Sequence, residues 1–318
     1  MHGEEGQLEF HHVSILLQEC IDSLRIRPDG VYVDATLGGA GHSLHIAQQL
    51  SDEGRLICID RDDAALANAE QRLASVRQRV SLVKSNFCEI DSAVRSCGVE
   101  KVDGILFDLG VSSPQLDTAE RGFSYMLDAR LDMRMDQQQA LSAYEIVNEW
   151  EQNELKRILF EYGEERYAPQ IASAIVRARA QQPIETTSEL VSVIRAAMPA
   201  AALREKQHPA KRTFQAIRIA VNDELQSVRL AMQRSVDSLA PGGRLSVITF
   251  HSLEDRIVKN VFRESAQGCT CPKDFPVCVC GKKPKVKIIT RKPILPSQEE
   301  IEQNPRARSA KLRVCEHK

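Results

Sequence analysis

The chain has 318 residues, 42% of them hydrophobic, with 42 Lys and Arg against 44 Asp and Glu and a net charge of −2. That length can bury one large core and a smaller satellite unit, and the near-neutral balance excludes a uniformly basic nucleic-acid binder. No apolar run approaches the roughly eighteen residues that read as a bilayer span, and the amino terminus lacks the basic and apolar regions of a signal peptide. No membrane association and a cytoplasmic location are therefore expected, with the nine cysteines as reduced thiols or metal ligands.

The first informative stretch is Val31-Tyr-Val-Asp-Ala-Thr-Leu-Gly-Gly-Ala-Gly-His42. Val31 and Val33 suit a buried parallel strand, and Asp34 places a carboxylate at its end. Gly38, Gly39 and Gly41 let a backbone turn approach a ligand closely. Ser43, Leu44, Ile46, Ala47 and Leu50 follow at helical spacing. Alone, such a turn reads equally well as a tight connection with no ligand. Arg55-Leu-Ile-Cys-Ile-Asp60 changes that, because it is a second short strand whose Asp60 lies 19 residues beyond Gly41, where a carboxylate can accept the hydroxyls of a ribose. The dinucleotide fingerprint requires a third glycine where Leu44 stands, which disfavours a dehydrogenase.

Val80–Phe87 reads as a third strand ending in polar Asn86 and apolar Phe87, and Gly104–Gly110 as a fourth ending on Asp108. About 130 residues then separate Asp108 from the next strand signal, far more than a crossover needs. Within them Ser142 precedes a periodic run, Ile158-Leu159 has polar partners, and Ile171, Ala174, Ile175 and Ala178 repeat at three- and four-residue spacing. Residues 116–205 are expected to form an inserted helical domain, with 1–115 and 206–318 making the main one. A helix around Lys211–Glu224 returns the chain to the sheet, and Pro241-Gly-Gly243 turns into a fifth strand ending at Phe250. Strands alternating with helices, with polar residues gathered at their carboxyl ends, predict a doubly wound α/β sheet. It looks like the Rossmann-like class I S-adenosylmethionine-dependent methyltransferase sheet.

The resemblance narrows on Asp108-Leu-Gly-Val-Ser-Ser-Pro-Gln115, Arg121-Gly-Phe-Ser124, Leu131-Asp-Met-Arg-Met135, Tyr162-Gly-Glu-Glu-Arg166, Phe250-His-Ser-Leu-Glu-Asp-Arg-Ile-Val-Lys259 and Asn304-Pro-Arg-Ala-Arg-Ser309. Together these closely resemble the bacterial ribosomal small-subunit RNA cytosine-N4 methyltransferases, the RsmH or MraW family. The match runs from near His12 almost to the carboxyl end. The resemblance implies methyl transfer from S-adenosyl-L-methionine to N4 of a cytidine in 16S rRNA, in the decoding region of the small ribosomal subunit. It also implies that the helical domain covers the cofactor cleft and shapes the RNA site.

The strand ends suggest the contacts, and the family places them at the same positions. Ala40, Gly41 and His42 line the methionine portion through backbone groups, Asp60 takes the ribose, Phe87 packs on adenine, and Asp108 with Gln115 sits near the amino-acid end. His42 alternatively caps the turn through its imidazole. Asp34 reads as fixing the turn through backbone N–H groups rather than touching a ligand. DNA amino-methyltransferases carry an (Asp/Asn/Ser)-Pro-Pro-aromatic element after the fourth strand. Here Asp108-Leu-Gly-Val111 stands there, followed by Ser112-Ser113-Pro114, so the group that accepts the amine hydrogen stays open. Asp108, Ser113 and His251 are the catalytic candidates. Ser252 reads as the N-cap of the helix after His251, with Asp255 as its partner. Arg121, Arg134 and Arg166 suit either RNA phosphate or ties between the helical domain and the sheet.

Cys269-Thr-Cys271 and Cys278-Val-Cys280 offer four thiolates to a structural zinc ion, although the spacing is Cys-X-Cys rather than Cys-X2-Cys. From Cys269 onward 12 Lys and Arg face 5 Asp and Glu. This basic segment suits either a surface that grips RNA backbone or a solvated tail. Two further readings remain: a DNA amino-methyltransferase, which would need the missing Pro-Pro-aromatic element, and a non-catalytic S-adenosylmethionine-binding ribosome-assembly factor.

Overall fold

Ile57, Cys58 and Ile59, like Ile105, Leu106 and Phe107, are buried in consecutive positions, as strands covered on both faces must be. The computed structural model describes residues 14–271 and 279–318. Helix α1 (Leu17–Leu24) precedes β1 (Val31–Asp34), and the chain alternates through α2 (Gly41–Gln48), β2 (Arg55–Asp60), α3 (Asp63–Arg72), β3 (Val80–Lys84), α4 (Ile90–Ser96) and β4 (Val102–Asp108). Five short helices follow the small α5 (Ser113–Asp117): α6 (Ala143–Glu149), α7 (Gln152–Glu161), α8 (Ala168–Arg179), α9 (Thr187–Ala197) and α10 (Lys211–Asn222). The chain then completes the sheet with α11 (Glu224–Ser238), β5 (Leu239–Thr249), α12 (Ser252–Ala266), β6 (Val286–Ile288), α13 (Gln298–Gln303) and β7 (Lys311–His317).

The seven strands lie in the order β3-β2-β1-β4-β5-β7-β6. Strands β1 to β5 pair in parallel, whereas β7 runs antiparallel between β5 and β6. This is the expected doubly wound α/β sheet, and the strand order reverses at β1 and β4, opening a crevice at their carboxyl ends. Two apolar clusters cover its faces. One joins Ile57, Ile105 and Phe107 to Val228, Val258 and Phe262; the other joins Leu56 and Leu106 to Leu24, Ile46 and Leu73. A third gathers residues from Phe123 to Val221, with Ile146, Ile158, Ile171 and Ile194 inside it. Its apolar interior continues past residue 205 into α10 through Phe214, Ile217 and Val221. Capping boxes at Ser142 with Glu145 and Thr186 with Glu189 fix the starts of α6 and α9.

Two local expectations are corrected. Strand β3 stops at Lys84, because Asn86 turns to cap the short helical turn Phe87–Glu89, its side chain accepting from Cys88 N–H at 3.1 Å. Pro241-Gly242-Gly243 lies inside β5 rather than before it. The β4 register runs from Val102 opposite Leu239 to Gly104 opposite Arg244. A proline without N–H and Gly242 at φ 81° push the extra residues out of the ladder as a bulge. Among the described residues no helix is long and apolar enough to cross a membrane.

Candidate functional site

The carboxyl ends of β1, β2 and β4 form one wall of a cleft of about 430 Å³. After β1, Asp34 is buried and accepts from Ser43 Oγ at 2.6 Å and Thr36 N–H at 3.2 Å. It fixes the turn without reaching the cleft surface, and burial pushes its carboxyl up to about 6. Gly38 takes φ 47°, and its N–H donates to Asp60 Oδ2 at 2.9 Å. Asp62 N–H donates to Asp60 Oδ1 at 2.9 Å. Burial still raises Asp60 above the usual carboxylate range, against the pull of these two bonds.

Asp62 caps α3 by accepting from Ala64 N–H. Its other oxygen accepts from Gln115 Nε2 at 2.9 Å and from Arg121 Nη1 at 2.8 Å. Arg121 also donates to the Arg134 and Met135 carbonyls at 2.9 and 3.1 Å. A buried guanidinium thus ties the segment before α6 to the end of β2. Gln115 has a structural task as well, because its Oε1 accepts from Ser112 N–H at 3.1 Å in the capping box that starts α5. The other two arginines divide: Arg134 clamps Asp132 at 2.6 Å, and Arg166 is exposed beside Glu205 at 3.2 Å.

At the end of β4, Asp108 N–H donates to Thr36 Oγ1 at 2.6 Å. Its Oδ2 stands 3.8 Å from His42 Nδ1, while Oδ1 is buried with no hydrogen-bond partner among the described residues. Although a quarter of the side chain is accessible from the cleft, desolvation pushes this carboxyl up to about 8, with Asp34 and Glu254 adding repulsion. His42 Nε2 bonds the Ile15 carbonyl at 3.1 Å, so its imidazole bridges the segment before α1 and the carboxylate.

The end of β5 supplies Phe250 and His251. His251, not Ser252, is the N-cap of α12: its Nδ1 accepts from Glu254 N–H at 3.4 Å, and Glu254 Oε2 accepts from Phe250 and His251 N–H at 2.8 and 3.2 Å. The histidine Nε2 stands 3.1 Å from Glu254 Oε1. Ser252 instead donates to Glu164 at 2.6 Å, and Asp255 is held by Arg313 at 2.6 Å. Burial acts to raise the Glu254 carboxyl, but His251 and the hydrogen bonds outweigh it and leave it lowered.

The facing wall comes from the helical cluster and was not legible from motifs. Lys211, Gln215 and Arg218 line the cleft from α10 beside Phe214, Tyr125 and Met135. Tyr125 stacks on His208 with centroids 4.5 Å apart and meets Phe214 edge-on at 5.8 Å. Arg218 is fixed by Glu224 at 2.7 and 2.8 Å. The spacing 211, 215, 218 is a helical face, and that period was the available signal. Arg61, beside Asp60, also lines the cleft and donates to the Asn222 carbonyl at 3.2 Å.

Of the positions singled out from the sequence, Gly41, His42, Asp60, Phe87, Asp108, Ser113, Gln115 and His251 all line this one cleft. Ala40 does not. It is fully buried at φ 59°, its N–H donates to Leu37 O at 2.7 Å, and its carbonyl accepts from Leu44 N–H at 3.1 Å, so its one donor is used by the turn itself. Phe87 packs edge-on against Phe107 at 5.9 Å and keeps one side toward the cleft. The cysteine cluster lies elsewhere, and Cys278 is outside the described residues.

The match to the MraW methylase family spans residues 9–318. The chain belongs to the MraW methylase family. Its relatives include three proteins called ribosomal RNA small subunit methyltransferase H. That from Brevibacillus brevis is 61% identical over 97% of this chain and 98% of its own. Those from a Paenibacillus species and Heliobacterium modesticaldum are each 59% identical, over 96% of this chain and 99% and 98% of theirs. This methylase therefore carries its cleft at the switch point of a class I, S-adenosylmethionine-dependent fold.

Proposed function

We propose that this methylase transfers a methyl group from S-adenosylmethionine to the exocyclic N4 of a cytidine in 16S rRNA, within the decoding region of the small ribosomal subunit in the cytoplasm. The observation that carries the reading is the Asp108 carboxyl at the end of β4, a quarter of its side chain accessible, lining a cleft walled on its other side by aromatic and basic residues. The relatives named for small-subunit rRNA supply the substrate class, and the family resemblance of the Asp108–Gln115 motif supplies the atom.

The residues present fit the cofactor. Each Asp60 oxygen accepts one backbone N–H, and a carboxylate has about four lone-pair positions, so two remain for a ribose diol. Gly38 has only Ser112 Cβ at 3.7 Å and a carbonyl at 3.8 Å around the place of a side chain, leaving room for a ligand against the backbone. Phe87 offers an apolar surface for the base. Gly41 and His42, at the start of α2, lie beneath the methionine portion, with Asp108 and Gln115 near its ammonium. When bound, S-adenosylmethionine supplies an electrophilic methyl group on a positively charged sulfur.

The chain must then orient the amine and remove its proton. The Asp108 carboxyl, a quarter accessible, is placed, once ionised beside the cofactor's positive charge, to accept a hydrogen bond from the cytosine amine, drawing its lone pair out of conjugation, and to take the proton once nitrogen has gained the methyl. Ser113, at the start of α5 and lining the same cleft, offers a hydroxyl to the base, while His251 is held by Glu254. Tyr125 and Phe214 give the flipped base an apolar face, and Lys211 is available to phosphate. The helical cluster would thereby recognise RNA, and its packing would set the width of the cleft.

Labelled S-adenosylmethionine is to be incubated with this protein and small subunits from cells lacking the corresponding gene, with naked rRNA and duplex DNA in parallel. N4-methylcytidine in digested 16S rRNA is the expected product. Label in DNA would support an amino-methyltransferase of DNA, and cofactor binding without transfer to any of the three would support an assembly factor.

A further inference from the structure

None of the described cysteines lines the cleft. Helix α12 begins there with His251 as its cap and runs 15 residues, about 22 Å at 1.5 Å per residue, to the opposite end of the sheet. The chain returns as β6, and the neck of the intervening loop is closed. Lys285 N–H donates to the Ser265 carbonyl at 2.8 Å, Lys285 Nζ pairs with Asp237 at 2.6 Å, and the Pro284 ring leaves 3.4 Å to the place of a side chain on Gly268.

Just beyond that neck the sulfurs of Cys269, Cys271 and Cys280 all lie within 4.8 Å of one another. Cys280 Sγ stands 3.7 Å from Cys269 Sγ, far beyond the roughly 2.05 Å of a disulfide. Three sulfurs each 2.3 Å from a tetrahedral ion are about 3.8 Å apart, which the Cys269–Cys280 separation matches. Backbone N–H groups already point at two of them: Cys271 N to Cys269 Sγ at 3.4 Å and Thr270 N to Cys280 Sγ at 3.5 Å. The other cluster of ligand-type groups, Glu224, His251 and Glu254, already holds the Arg218 guanidinium at 2.7 Å and has no place for a cation.

We infer that Cys269, Cys271 and Cys280 bind a structural zinc ion, with the fourth position filled from outside this trio. Thiolates select zinc over harder divalent ions. The ion joins the outgoing and returning arms of the loop and fixes the orientation of exposed Lys282 and Lys283 at the end of the sheet away from the cleft. Being remote from Asp60 and Asp108, it has no role in methyl transfer.

The test uses the full chain, purified under reducing conditions without added metal, and its zinc content. About one zinc per chain is expected, and replacement by cobalt should give the intense near-ultraviolet thiolate charge-transfer bands and visible d–d bands of a tetrahedral sulfur site. Cys269→Ser and Cys280→Ser should each lower metal content about tenfold or more, while Cys97→Ser, half-buried on another part of the surface, keeps it. Should the serine variants fail to fold, the cobalt spectrum of the parent decides, and its absence overturns the assignment. Folded parent protein holding less than about one zinc per ten chains after incubation with zinc chloride also overturns it, as does a Cys269–Cys280 disulfide under these conditions or full metal retention in both serine variants.

Discussion

The ends of β2 and β4 both close on an aspartate at the same cleft, yet the two are built in opposite ways. Asp60 is surrounded by donors: Gly38 and Asp62 N–H occupy both its oxygens, and the next acid along, Asp62, is locked by Gln115 and Arg121. Asp108 has an oxygen with no partner among the described residues, and its nearest carboxylates repel it. A satisfied carboxylate is part of the scaffold and can still hold a ligand. An unsatisfied one destabilises the folded chain, and the position invites a function that compensates.

The contrast breaks most visibly at Asp108. Asp108→Asn should fold normally and lose about 10²- to 10⁴-fold in kcat, the range of a lost proton acceptor. Single-turnover methyl transfer measures this, and a variant within threefold of the parent would move the acceptor role elsewhere. At the β2 end the large effect should be on stability: Arg121→Ala strands the buried Asp62 carboxylate and should cost about 3–5 kcal/mol, read from urea unfolding. A loss under about 1 kcal/mol, the range of a surface pair, would remove Arg121 from the scaffold. Asp60→Ala should weaken cofactor binding about 10- to 100-fold, as expected for hydrogen bonds to a charged group, without a comparable loss of kcat at saturation. Calorimetry checks the affinity, and retained affinity refutes the ribose contact.

The smallest effect sharpens the comparison through pH. From the usual carboxylate range up to about 8, the folded chain keeps the Asp108 proton that the unfolded chain has released. Stability from this group is therefore greatest at acid pH and declines as pH rises through that window. The ligand-free Asp108→Asn protein should gain in Tm relative to the parent between pH 5 and pH 8. A difference that does not change with pH would place Asp108 in the ordinary carboxylate range.

Much of the sheet was legible because buried parallel strands are short apolar runs between turn signals, as at Arg55–Asp60. The strand ends followed, and with them most of the cleft wall. The facing wall was hidden for a physical reason: Lys211, Gln215 and Arg218 share a helix face with Phe214 of the apolar cluster, and amphipathic spacing does not say which partner that face meets. Ala40 misled because a glycine-rich turn does not reveal which of its N–H groups the turn itself uses. At α12, Ser252 is the commoner cap, but the carboxylate that completes the box is Glu254, three residues after His251. The double task of Gln115 depends on Asp62, 53 residues away, a distance no local pattern spans.

Strand β7 occupies an interior place in the sheet although it follows the other six strands in chain order. Until Lys311–His317 has left the ribosome, β5 has a bare edge along Leu245, Val247 and Ile248, residues that are fully buried once β7 is paired. An unpaired apolar edge recruits other strands. From the synthesis of β5 to that of β7 the nascent protein thus carries a bare apolar edge, and a chaperone that shields this edge would raise the yield of folded enzyme more than one acting on the helical cluster, whose residues are already complete by Val221.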